Sequence, residues 1–160
     1  MSQPLYSEPG PPVVVEFTDY QCPFCRAASP MVDSAVSDGV RLAVLQFPLS
    51  IHPRARVAAL AALCGARSGR FAKIHRYLMN HIEWMASDDS SIVPAIEPID
   101  SAAFVACQGS EQTRKSLAQE IAVANTLGIA GTPMLVTAGG VLKQPVTAAS
   151  LRALADDGSK

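Results

Sequence analysis

The stretch VVVEFTDYQCPFCRAASPMVDSAV, residues 13 to 36, contains the change of period that decides the fold. VVVEFT, residues 13 to 18, is a β-branched run with few polar breaks, the pattern of a strand covered on both faces. From Cys22 onward the chain reads as a helix. Pro23 falls at the first helical position if Cys22 is the N-cap, and a missing N–H costs nothing there. Asp38-Gly39 then turns the chain into VRLAVLQF, residues 40 to 47, which alternates as a second strand. Such a β-α-β unit closes right-handed with its strands parallel.

Beyond this unit, apolar residues between Pro53 and Leu127 recur at helical spacing. Val57, Leu60, Ala61 and Cys64 share one face, Phe71, Ile74, Tyr77 and Leu78 continue the habit, and Leu117, Ile121 and Ala124 lie on a last helix stopped by Gly128. IVPAIEP, residues 92 to 98, is a proline-broken connection. MLVTAGGVL, residues 134 to 142, places two short apolar runs on either side of Gly139-Gly140, a hairpin signal, and Thr147 caps a closing helix over AASLRALA. The order β-α-β, helices, β-hairpin, α predicts an α/β fold with a mixed central sheet. Residues 1–12 are expected to be a flexible N-terminal tail, 13–51 and 128–157 the sheet domain, and 52–127 a helical domain inserted in it.

The 160 residues suffice for one well-buried core. Hydrophobic residues make up 49% and charged ones 17%, below the ~25% of typical soluble domains, which excludes a disordered chain. A formal net charge of -1 offers no basic field to draw nucleic acid. The longest apolar helical candidate, VAALAALCGA at 57 to 66, falls short of the ~20 residues needed to cross a bilayer. MSQPLYSEPGPP at the start lacks the pattern of a secretory signal and reads as a tether or a trimmed end. Four cysteines suit an oxidising compartment, but buried free cysteines are also common.

The pair in CPFC carries the chemistry. A thiol becomes a nucleophile on losing its proton, and a helix N-terminus favours the thiolate. Cys22 as N-cap is expected to point an exposed sulfur at the unpaired first-turn N–H groups, with Cys25 one turn in, more buried and within disulfide reach. Cys22 then attacks or is attacked, and Cys25 resolves the mixed disulfide. Pro23 and Phe24, between them, bring no charge, which predicts a moderately oxidising couple. Zinc binding and a purely structural disulfide are the rival readings. For zinc, the remaining candidates Cys64, Cys107, His52, His75 and His81 supply no second close pair, and no metal is expected. Glu16 is the one charge in VVVEFT. On a central strand its carboxyl is desolvated and can take the proton that Cys25 must lose; on a half-exposed strand it simply faces outward. By base rate the Thr132-Pro133 bond is trans.

VVVEFTDYQCPFC, together with QFPLSIHPRARVAALAALCG, RFAKIHRYLM and LGIAGTPML, resembles the DsbA-like thiol-disulfide oxidoreductases of the thioredoxin superfamily, from about Val13 to the last helix. The resemblance implies a thioredoxin-like fold with an inserted helical domain, no cofactor, and activity as a dithiol oxidase of exported proteins in the periplasm or another extracytoplasmic space. It implies that Cys22 attacks and Cys25 resolves, that Glu16 is the buried acid, and that Pro133 is a cis-proline facing the disulfide. Thr132 would tune the sulfur and pair its backbone with substrate chain. Partners would be unfolded or partly folded proteins with cysteine thiols and a membrane quinone-linked reoxidant, DsbB-like or VKOR-like. Phe24 stands where the strongest oxidants carry histidine, and Gln46 where relatives often carry a charge. Cys64 and Cys107 fall on helices where some relatives bear a second, structural disulfide; two buried free thiols are the alternative. Neither His52 nor His75 is assigned a role, and Trp84 is either core or a substrate-facing edge.

Overall fold

The period change in residues 13 to 36 is the fold's first crossover. A computed structural model describes residues 13–96, 99–142 and 145–157, so the tail expected at 1–12 lies outside the described residues. Strand β1 (Val14–Thr18) runs into helix α1 (Pro23–Ser37), and Gly39, at a φ of 95° that suits glycine, turns the chain into β2 (Leu42–Gln46). β1 and β2 pair in parallel, with Val14 opposite Leu42 and Thr18 opposite Gln46. Helices α2 (Ala55–Arg67), α3 (Phe71–Asn80), α4 (Ser101–Gly109) and α5 (Glu111–Thr126) follow, with a single 3-10 turn at Glu83–Met85. β3 (Met134–Thr137) returns antiparallel beside β1, β4 (Gly140–Val141) pairs with β3, and α6 (Ala148–Asp157) closes the chain. The sheet order β2-β1-β3-β4 makes β1 central, and the mixed sheet with its thioredoxin-like α/β arrangement is present.

Alternation along β1 sorts the core. Val14, with Leu42, Val44 and Leu135, packs beneath Val32 and Ala35 of α1 and Leu151 of α6, while Phe17 meets Ala124 and Ile129 on the opposite face. Glu16 and Thr18 share the parity of Val14, so they lie on the α1 side. α5 also packs against α2 through Leu117, Ala59 and Leu63. It therefore covers one sheet face and one helix at once.

Two local readings are corrected and a third, left open, is decided. α2 buries Ala55, Ala58, Ala59, Ala62 and Leu63 as well as Ala61 and Cys64, while Val57 and Leu60, placed on its inner face, are only half-buried. The cause is that α3, α4 and α5 all pack on it, and small side chains let them approach; a Cβ at Gly65 would come within 2.7 Å of Ile74 Cδ1. The hairpin turn is Ala138-Gly139, because Thr137 already pairs with Gly140. Trp84 is core, 5% exposed, with its indole N–H donating to the Leu78 carbonyl.

Candidate active site

The mouth of α1 opens at the end of the central strand. Cys22 is the N-cap residue with extended backbone (φ -67°, ψ 122°), and Pro23 occupies the start of the helix. Cys22 and Cys25 are both free and both buried. The Cys22 sulfur departs from the N-cap reading in two respects. It makes no hydrogen bond to the first-turn amides, and at 3% exposure it is covered rather than exposed. Its S–H donates instead to the Thr132 carbonyl oxygen, 3.4 Å away. The reason is chemical: a protonated thiol and a first-turn N–H are both donors, whereas a carbonyl accepts. The carbonyl comes from a loop whose Thr132–Pro133 peptide bond is cis.

Cys25 is fully buried. Burial, its largest influence, pushes its thiol up to about 12, and the neighbouring Cys22 sulfur adds to this. The Thr132 and Thr18 hydroxyls and the Asp19 amide pull the other way. Of these, the Asp19 N–H closes a hydrogen bond, at 3.5 Å from the sulfur; the two hydroxyls face the site without closing one to a protein group. Cys25 therefore stays protonated until it is paired or a base takes its proton.

Glu16 is 2% exposed, which rules out the outward-facing alternative. Burial pushes its carboxyl up to about 7, the Thr18 hydroxyl offsets part of this, and Asp33 on α1 raises it further. Its Oε2 has no hydrogen-bond partner among the described residues. The Thr18 hydroxyl lowers both Glu16 and Cys25, so the carboxyl and the thiol share one polar neighbour. A carboxyl that titrates near neutrality can accept and return a proton, and the shared Thr18 hydroxyl links it to the thiol.

Sequence reasoning missed Asp19. Its carboxylate is fully buried and accepts from Gln21 N (2.8 Å), Cys22 N (3.2 Å), Leu49 N (2.8 Å) and the His52 ring at Nδ1 (2.7 Å). One side chain thus fixes the loop before Cys22 and docks residues 49 to 52 beside it. The signal was available: an aspartate three residues before an N-cap satisfies nearby backbone amides. His52, left without a role, holds Asp19. His75, also unassigned, is 1% exposed on α3 and bonds the Tyr20 hydroxyl at 2.9 Å. Burial drops its imidazole to about 3, with Arg76 adding to the shift, so it is neutral. Arg26 donates to the Leu78 and His81 carbonyls and ties α1 to the end of α3.

Away from this mouth, Cys64 on α2 and Cys107 on α4 are joined by a disulfide, so the alternative of two free thiols does not hold. Gln46 is buried, and its backbone N–H donates to Glu120 of α5 at 2.6 Å. Burial pushes Glu120 up to about 7 despite that bond.

A family model described as thioredoxin matches residues 7–157. Among solved structures, a thioredoxin-like oxidoreductase from Silicibacter pomeroyi superposes with a TM-score of 0.71 at 27% identity, covering 91% of this chain and 84% of that one. DsbA2 of Pseudomonas aeruginosa gives a TM-score of 0.76 at 19% identity, covering 99% of this chain and 95% of its own. The curated relative "Na(+)/H(+) antiporter NhaA 3" of Salinispora tropica is 30% identical over 81% of this chain, and the match spans only 20% of its length. No helix among the described residues is long and apolar enough to cross a membrane. With the family model covering nearly the whole chain and the cysteine pair set at the mouth of α1, the protein belongs to the thioredoxin family and has the fold of its DsbA-like thiol-disulfide oxidoreductases.

Proposed function

We propose that the protein is a dithiol oxidase that passes the Cys22–Cys25 disulfide to exported proteins with free thiols. The observation that carries this reading is the arrangement at the helix mouth, with the Cys22 sulfur against the Thr132 carbonyl and a buried Cys25 that shares the influence of the Thr18 hydroxyl with buried Glu16. A substrate thiolate attacks Cys22 Sγ, the Cys22–Cys25 bond breaks, and its electron pair leaves on Cys25. Protonated Glu16 supplies the proton that the buried thiolate needs. A second substrate thiolate then attacks its own mixed-disulfide sulfur, forming the substrate disulfide and freeing Cys22. A membrane quinone-linked partner restores the bond, in the periplasm or another extracytoplasmic space.

Substrate is held by strand-like pairing with the Thr132 backbone and by apolar contact beside Pro133. Phe24, Ile51 and Ile82 are 72%, 76% and 62% exposed. Ile51 lies in the segment docked by Asp19, and Ile82 follows the His81 carbonyl held by Arg26, so all three stand on segments tied to the mouth. Antiporter-named relatives share only a segment with this chain, and we carry over no ion transport from them. Among the described residues no three His, Cys, Asp or Glu side chains group as metal ligands.

Equilibration with glutathione tests the direction of electron flow. The expected potential is more oxidising than about -270 mV, and a value below that assigns the protein as a reductase. Serine at Cys25 is expected to accumulate mixed disulfides through Cys22 with unfolded thiol proteins. Absence of such adducts overturns the assignment of roles.

A further inference from the structure

We propose that the Cys64–Cys107 disulfide is a second exchange site, opened through its own pocket by a small thiol bearing carboxylates. A cavity of about 320 Å³ is lined by both cysteines together with Arg67, Arg70, Asp100 and Phe104. Its size falls at the lower end of small-molecule sites, ~300 to 1,000 Å³. A disulfide that only staples two helices needs no open face, yet this one forms part of a cavity wall.

The two sulfurs are not equivalent. Cys64 is 1% exposed, whereas Cys107 is half-buried, so Cys107 is the sulfur an incoming thiolate reaches. The Thr113 hydroxyl lies 3.5 Å from Cys107 Sγ and 3.8 Å from Cys64 Sγ, held at 2.9 Å by Ser110 Oγ. It can donate to whichever sulfur is released. The charges select the thiol. Arg67 donates to the neutral Ser116 hydroxyl, and neither Arg67 nor Arg70 forms a salt bridge to an acid among the described residues. Asp100, the acid in the wall, already accepts the Ala103 N–H as the cap of α4. Two arginines therefore line the cavity with one engaged carboxylate, which favours a ligand with carboxylates of its own.

The step balances without an added oxidant. The thiolate sulfur bonds to Cys107 Sγ, the Cys64–Cys107 bond breaks, and its electron pair leaves on Cys64, which takes a proton and the Thr113 hydrogen bond. One disulfide replaces another. A second thiol then frees Cys107 and departs as the symmetrical disulfide, leaving α2 and α4 unlinked.

The test uses the full chain with Cys22→Ser and Cys25→Ser, so that only the second pair reacts. It is treated with reduced glutathione, alkylated and mapped by mass spectrometry. Glutathione is expected on Cys107 and the alkyl group on Cys64. Arg67→Gln with Arg70→Gln is expected to slow opening by glutathione about tenfold, the loss of one charge-assisted contact, and to leave opening by neutral 2-mercaptoethanol unchanged. An adduct on Cys64, no adduct on either cysteine, or a glutathione rate indifferent to the two arginines overturns the proposal.

Discussion

Cys22 and Cys25 stand one helical turn apart with their sulfurs unjoined, while Cys64 and Cys107 are separated by 43 residues and bonded across α2 and α4. The first pair sits where a strand end, a helix start and the Thr132–Pro133 loop converge, with two buried carboxylates, Glu16 and Asp19, just ahead of it in sequence. The second pair lies between the alanine-rich α2 and the Thr113 hydroxyl, in the wall of the cavity it shares with Arg67 and Arg70, with no acid bonded to either sulfur among the described residues. Both are disulfide chemistry in one small protein. The difference shows that a pair's work is set less by its cysteines than by whether a base and an orienting carboxylate are built in beside it.

The sharpest way to break this comparison is to remove the attacking sulfur of the first pair and both sulfurs of the second. Cys22→Ser is expected to take peptide oxidation to the uncatalysed level, while the chain with Cys64→Ser and Cys107→Ser keeps its exchange rate. The second change acts on folding, because exchange of Cys64–Cys107 with a small thiol takes no part in passing a disulfide to protein substrates. Freeing a 43-residue loop is expected to lower unfolding free energy by about 4 kcal/mol in the chain-entropy account, read by urea titration. A double variant that lost activity but kept its stability would falsify the division between the pairs.

Glu16 is the next largest effect. Its folded pKa of about 7 lies above the ordinary 4.5, so the folded state holds a proton there that the unfolded chain has already lost. The favourable contribution is complete below pH 4.5 and is lost as pH rises through 7, a swing of about 3 kcal/mol. Glu16→Gln is expected to match the parent at pH 4 and to exceed its stability by up to that amount at pH 8. Glu120, raised to about 7 on the other side of the sheet, leaves the variant a residual slope of the same sign. His75 works in the opposite direction: its depressed pKa of about 3 costs stability as pH falls below 6.5. Release of Cys25 from the Cys22–Cys25 disulfide, as substrate attacks Cys22, is also expected to slow in Glu16→Gln and to lose its inflection near neutral pH. Unchanged release would remove Glu16 from the proton path.

The parts of this site that were legible in the sequence are those whose cause is local. Pro23 after an N-cap, a β-branched run before it and Gly39 after the helix fix β1-α1-β2 from neighbours alone. Glu16 could be singled out by type, but its burial depended on β1 being central, which the pairing with both β2 and β3 decides. The Cys22 sulfur was misdirected for a similar reason, since its acceptor lies 110 residues away. His52 and His75 were left without roles because Asp19 and Tyr20, their partners, are 33 and 55 residues distant. Periodicity reports which face of a helix is inward. It says nothing of which polar group waits there.

Asp19 gives the smallest and most discriminating change. Its two carboxylate oxygens serve four donors: Oδ1 takes the Gln21 and Cys22 amides, and Oδ2 takes the Leu49 amide and the His52 ring. Asparagine keeps the shape but turns one oxygen into a donor. Facing its oxygen to the two amides of the cysteine loop is the better choice, because the His52 ring can present an unprotonated Nδ1 to the new NH₂ whereas the Leu49 amide cannot change. One buried N–H is then left unpaired, at a cost of about 2 kcal/mol, and residues 49 to 52 loosen while Cys22 stays in place. Asp19→Asn is therefore expected to lower stability by that amount and to slow exchange only a few-fold. Faster hydrogen exchange should be confined to the Leu49 and His52 amides. If exchange chemistry instead stops as completely as in Cys22→Ser, Asp19 acts on the reacting sulfur itself. If stability is untouched, the bridge between the two loops is not what holds the mouth.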